Sequence, residues 1–128
     1  MRKMAGIVLA GALAFAMIGG NGVALAGDND VIREGSCSGS ADWKLKLSPE
    51  DGGLEVEYEV DQNVTGDRWR VKIRHDGDLV FNGVRTTRGA SGSFEVRIVE
   101  PDNSGNDAFR ARARNLSTGE VCVGSASF

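Results

Sequence analysis

From Asp42 to the C-terminus, apolar residues alternate with charged ones in short runs that clusters of Gly, Asp and Asn interrupt. A two-residue period puts alternate side chains on opposite faces of an extended chain, so each run reads as a strand with one buried face. No window of twelve residues follows the 3.6-residue period of a helix, and the fold class that follows is all-β. Strands are predicted at 42–48 (Trp43, Leu45 and Leu47 inward), 53–60 (Leu54, Val56, Tyr58, Val60), 68–75 (Trp69, Val71, Ile73) and 79–85 (Leu79, Phe81). Three more are predicted at 93–99 (Phe94, Val96, Ile98), 108–114 (Phe109, Ala111, Ala113) and 120–127 (Cys122, Gly124, Ala126). Seven short antiparallel strands at intervals of about ten to thirteen residues suit a β-sandwich. Its aromatic core is expected to be Trp43, Tyr58, Trp69, Phe81, Phe94 and Phe109.

The connections order these strands. Asp76-Gly77 supplies the two left-handed residues of a type I′ hairpin, and the Ser-Thr-Gly stretch 117–119 is a weaker signal of the same kind. Segments 61–67 and 100–106 are longer, and Pro101 has no N–H to give a ladder, so both suit arches that carry the chain between sheets. The expected sheets hold the first, second and fifth strands, and the fourth, third, sixth and seventh.

Residues 1–26 are expected to lie outside this fold. Met1-Arg2-Lys3, an apolar stretch and Ala24-Leu25-Ala26 fit a secretory signal cleaved before Gly27, leaving 27–128 as one domain. Gly11, Gly19, Gly20, Asn21 and Gly22 interrupt the apolar run short of the roughly 20 residues that span a bilayer, which argues against a retained anchor. No integral membrane segment is expected after processing. A small outer-membrane barrel is disfavoured by strands shorter than the roughly 9–11 residues such a barrel needs. Without Arg2 and Lys3 the 15 basic groups become 13 against 18 acidic ones, a net charge of −5, so no nucleic-acid partner is expected. In an oxidising compartment Cys37 and Cys122 are most simply one disulfide, and the location is read as secreted or cell-envelope.

The run Phe109-Arg-Ala-Arg-Ala-Arg-Asn-Leu-Ser-Thr-Gly119 resembles the sixth strand and following turn of fibronectin type III and related immunoglobulin-like domains. Trp69 sits on the third strand, where immunoglobulin-like folds often bury a Trp. The resemblance implies an immunoglobulin-like sandwich. Phe109 stands where a Tyr is usual in the family, and Cys37 with Cys122 would join the chain ends instead of the two sheet centres. Fold class does not itself give function.

One surface suggests a function. Alternation places Arg68, Arg70, Lys72 and Arg74 on the outward face of the third strand, and Arg110, Arg112 and Arg114 on that of the sixth. If these strands are neighbours, like charges face each other at a cost that a polyanion would relieve. Guanidinium forks suit phosphate, sulfate and carboxylate, so the expected partner is an acidic extracellular polymer or an acidic protein surface. The competing reading is a solvated face. In a plain meander Glu55, Glu57 and Glu59 would lie opposite the Arg row and neutralise it; in the sandwich they meet Lys44, Lys46 and Arg97 instead.

No catalytic residues are assigned. His75 is the single His and lies beside a hairpin turn, without a partner for a Ser nucleophile, and the Glu ladder faces outward with no cleft for paired carboxylates. No metal or other cofactor is assigned, because neither Cys has a CxxC neighbour and there is no second His. Asp61, Asn63, Thr65 and Asp67 open like a calcium loop, but Lys72 occupies the closing position; ion binding by 61–67 or 102–107 stays open, as does oligomeric state. Asn63-Val-Thr65 and Asn115-Leu-Ser117 are glycosylation acceptor patterns. The expected function is a non-enzymatic binding or cell-envelope accessory module working through the basic face. The alternative is a secreted inhibitor or peptide binder working through the loops at one end of the sandwich, such as 61–67 and 102–107.

Overall fold

The computed structural model describes residues 29–128, and the predicted leader 1–26 lies outside the described residues. Eight strands follow in order: β1 (Val31–Ser36), β2 (Asp42–Glu50), β3 (Gly53–Asp61), β4 (Arg68–His75), β5 (Asp78–Thr86), β6 (Ser93–Pro101), β7 (Ala108–Asn115) and β8 (Val121–Ser127). They form two four-stranded antiparallel sheets, ordered β1-β2-β3-β6 and β5-β4-β7-β8. Among the described residues there is no helix, and so none long and apolar enough to cross a membrane.

The seven strands expected from the alternation all form, and they divide between the sheets as their connections suggest. The expected count was nevertheless one short. In β1, Val31, Arg33 and Gly35 face the same way as Leu47, Leu45 and Trp43 of β2. An Arg and a Gly on the inward row erase the alternation that marks the other strands. Gly35 is required there because the Trp43 indole lies across it: a Cβ at Gly35 would meet Trp43 Cζ2 at 2.8 Å, and one at Gly124 of β8 would meet Cζ3 at 2.5 Å. Trp43 thus wedges between an edge strand of each sheet.

One core lies between the sheets. The inward rows Leu54, Val56, Tyr58, Val60 of β3 and Trp69, Val71, Ile73 of β4 are fully buried, with Ala111 and Ala113 of β7 leaving room for the larger rings. Each buried aliphatic or aromatic side chain contributes about 1.5–3 kcal/mol against the unfolded chain. The Tyr58 hydroxyl donates to the Cys122 carbonyl at 2.9 Å, so its polar end is satisfied across the sandwich-like core. Burial pushes its pKa up despite the opposing charge of Arg112. Trp69 packs at a tilt on Phe94, their centroids 6.0 Å apart. Trp43 and Phe81 are only partly buried.

Leu79, expected inward, is exposed. A register shift between Ile73 and Arg74 opposes Ile73 to Phe81 and Arg74 to Leu79, skipping Val80 and turning Leu79 to the outer face. Asp76-Gly77 turns the β4–β5 hairpin with φ of 49° and 90°, as a type I′ turn requires. Asp51-Gly52 does the same between β2 and β3 with φ of 44° and 81°. The β7–β8 connection is longer than a two-residue turn: Asn115 Oδ1 accepts from the Ser117 and Thr118 N–H groups, and Gly119 N–H closes onto the Asn115 carbonyl.

Cys37, in the β1–β2 connection, forms a disulfide with Cys122 of β8 across a separation of 85 residues. Such a bridge is consistent with an extracellular location. Closing so long a loop restricts the unfolded chain by about 4.5 kcal/mol in the ideal entropic account.

Candidate functional site

The structure brings all seven predicted cations onto one surface. Arg70 faces Arg114, Lys72 faces Arg112, and Arg74 faces Arg110 across the β4–β7 pair, and every one of these side chains is exposed. Arg68 extends the β4 row beyond the end of β7, where its carbonyl accepts from Leu116 N–H. Strand geometry sets the spacing at about 7 Å along each row and about 5 Å between rows. The flanking strands add no charge opposite the rows: Thr86, Val84, Asn82 and Leu79 lie on the β5 side, and Val121, Val123 and Ser125 on the β8 side.

Among the described residues, none of the seven cations has a carboxylate within 4.0 Å. Arg70 donates to Asn82 Oδ1 at 3.3 Å and Arg74 to the Gly77 carbonyl at 3.2 Å, both neutral acceptors. Glu120, at the sheet edge, is committed elsewhere: its Oε2 accepts from the Gly39 and Ala41 N–H groups, each at 2.9 Å.

The outer face of the other sheet differs. Lys44 pairs with Glu59, Lys46 with Glu57 and Asp30, and Arg97 with Glu55, Glu57 and Glu95. Carboxylates are in excess there, and Glu55 has a raised pKa because its hydrogen bond to Glu57 and partial burial outweigh Arg97 and Lys46.

A second constellation lies at the end of the sandwich-like pair of sheets where β4 turns into β5. His75 occupies the inward parity of β4 and is buried. Its Nδ1 lies 2.9 Å from Glu100 Oε1 of β6, and its Nε2 lies 2.7 Å from Asp107 Oδ1 in the β6–β7 arch and 3.6 Å from Asp76 Oδ2. The ring stacks on Phe109 with centroids 4.3 Å apart. Burial alone would lower the His75 pKa, but its hydrogen bonds to Glu100 and Asp107 and the nearby carboxylate charges hold it above its ordinary value. For Asp107, burial raises the pKa but donation from His75 and from the Asn103 backbone outweighs it, leaving the carboxyl below its usual range. These partners come from 25 and 32 residues downstream, which is why the sequence left His75 alone. One signal was available: Trp69, Val71, Ile73 and His75 share a parity, so a buried His needing polar partners was implied.

The 61–67 segment uses its polar groups to build an arch. Asp67 Oδ2 accepts from Gln62 Nε2 at 2.6 Å and Asn115 Nδ2 at 3.0 Å, and Gln62 Oε1 accepts from Trp69 Nε1. The hydrogen bonds from Asn115 and then Gln62 hold the Asp67 carboxyl below its ordinary pKa. Asn115 is fully buried, so its amide is closed to glycosylation in the folded protein, whereas Asn63 is exposed. Among the described residues, the His, Cys, Asp and Glu side chains whose ligand atoms stand close enough to share one metal ion are His75, Asp76 and Asp107.

Compared with known proteins, the chain matches no family model and has no significant match among curated sequences.

Proposed function

We propose that the protein is a secreted, non-enzymatic binding module that holds an acidic polymer against the outer face of β5-β4-β7-β8. The observation that carries this reading is the double row of exposed cations, three pairs directly opposed, with no carboxylate within 4.0 Å among the described residues. Like charges directly opposite each other destabilise a sheet, and repeated anionic groups at comparable spacing would relieve the repulsion along the whole face. An immunoglobulin-like classification belongs to the same proposal. The β2-β3-β6 and β5-β4-β7-β8 groupings support it, with β5 beside β4 rather than in the first sheet as in constant-type immunoglobulin domains.

The reading is tested by binding of the purified protein to polygalacturonate, dextran sulfate and neutral dextran at low and high salt. Saturable binding to both acidic polymers, weakened by salt and abolished by Arg70→Glu with Arg112→Glu, is expected. Binding that ignores salt, or survives both reversals, returns the cations to a solvated face. It would favour a loop-based inhibitor reading confined to the 61–67 end, because 61–67 lies beside Asn115 and 102–107 beside His75, at opposite ends of the β4–β7 pair and not at one end as expected. The exposed Val64 of that arch and Leu116 are its supporting observation.

A further inference from the structure

We propose that His75, Asp76 and Asp107 form a binding site for one divalent transition-metal cation of the zinc class, with Glu100 orienting the imidazole. The three ligand atoms already lie within 4.8 Å of one another. The decisive observation is Asp107 Oδ2, which is buried and has no hydrogen-bond partner. The Asp107 side chain is wholly inaccessible, and its Oδ1 is fully engaged by His75 Nε2 at 2.7 Å, Asn103 Nδ2 at 3.1 Å and Asn103 N–H at 3.4 Å. A plain ion pair with His75 accounts for Oδ1 and for both ring nitrogens, but leaves Oδ2 with nothing. An anionic oxygen stripped of water and unpaired is among the costliest groups a protein interior can hold, so it points to an ion as its partner.

The surroundings suit that ion. Glu100 accepts from Nδ1–H at 2.9 Å, so when a cation displaces the proton that Nε2 shares with Asp107, the ring is held in the tautomer whose Nε2 lone pair meets the ion, with its basicity raised. Asp76 is exposed and lies at the hairpin turn, so a cation reaches the buried pair from solvent. The arch is held in place: Asp107 exchanges two backbone hydrogen bonds with Phe128, and Asp76 Oδ1 accepts from Ala108 N–H. One imidazole nitrogen with carboxylate oxygens selects a borderline divalent ion such as zinc over calcium or magnesium, which take all-oxygen shells, and over soft ions that seek thiolate. The site is at the end of the sandwich, so it stands or falls apart from the proposed basic-face function.

The test is a calorimetric titration of the purified protein with zinc sulfate, read beside Asp76→Asn, Glu100→Gln and His75→Asn variants. Wild type should bind one equivalent saturably, and each variant should bind at least about tenfold more weakly. Asp76→Asn is the fold-safe arm, since Asn accepts the left-handed φ of 49° and its side-chain oxygen can still receive Ala108 N–H. Its unfolding midpoint without zinc should match wild type, and only the zinc-induced rise should shrink. The proposal is overturned if wild type shows no 1:1 binding tighter than roughly 1 mM. It is equally overturned if Asp76→Asn keeps wild-type affinity, or if calcium binds as tightly as zinc.

Discussion

The two outer faces are built from the same device, an outward row of charged residues on adjacent strands, and reach opposite electrostatic ends. On β2-β3-β6 the lysines of β2 face the glutamates of β3 and Arg97 of β6 faces Glu57, so that, although Glu59 also meets Glu95, each cation finds a carboxylate within 4.0 Å. On β4-β7 the rows match in sign, so Arg faces Arg or Lys in every directly opposed pair. The difference teaches what strand neighbours do: a Glu ladder on β3 would have neutralised the β4 cations had the two been paired, but the 61–67 arch sends β4 to the other sheet. Charges that serve the scaffold find partners within their own sheet. Those left over are available to something outside it.

The largest effect is expected from breaking the unpaired face by charge reversal. Arg70→Glu with Arg112→Glu should weaken acidic-polymer binding by roughly a hundredfold, while Lys44→Glu with Arg97→Glu on the other face should leave it within about twofold; a salt-dependent pull-down or calorimetry measures both. Next comes the wedge that holds the two faces in one body. Gly124→Ala drives a methyl into the Trp43 ring and should cost about 1–3 kcal/mol in urea unfolding.

A smaller contrast has opposite signs on the two faces. Removing Arg97 breaks contacts to Glu55, Glu57 and Glu95 and should destabilise by up to about 1 kcal/mol. Arg112→Thr relieves a like-charge pair with Lys72 and should stabilise by a few tenths, about 0.2–1 kcal/mol. Equal signs for these two substitutions would dissolve the comparison. The last test concerns acid. Because the folded pKa of Asp67 is depressed, its contribution is present above the ordinary carboxyl pKa and is lost as pH falls below about 4 towards the folded value. The stability gap between wild type and Asp67→Asn should therefore narrow from pH 5 to pH 3 in denaturant titrations, and a constant gap would remove Asp67 from the acid response.

Much of this fold was legible before any coordinates. The parity of Trp69, Val71 and Ile73 marked the inner face of β4, and Asp76-Gly77 marked the hairpin that follows. The basic face was legible for the same reason, since parity in two strands assigned its residues and the arches made those strands neighbours. What failed had local causes. The inward Arg33 and Gly35 hid β1, and the shift after Ile73 turned Leu79 outward, because a bulge changes face without changing composition.

Alternation, turn chemistry and cysteine count therefore sufficed, by themselves, for the all-β class, most of the strands and the disulfide, because each depends on near neighbours or on a pairing with no competitor. Only the tertiary structure decided which charges meet and which do not. It also decided that a lone histidine would be enclosed by Glu100 and Asp107, which lie 25 and 32 residues away along the chain. Electrostatic and metal-ligand geometry act over a few ångströms, and a distance in sequence carries no such information until the arches bring their ends together.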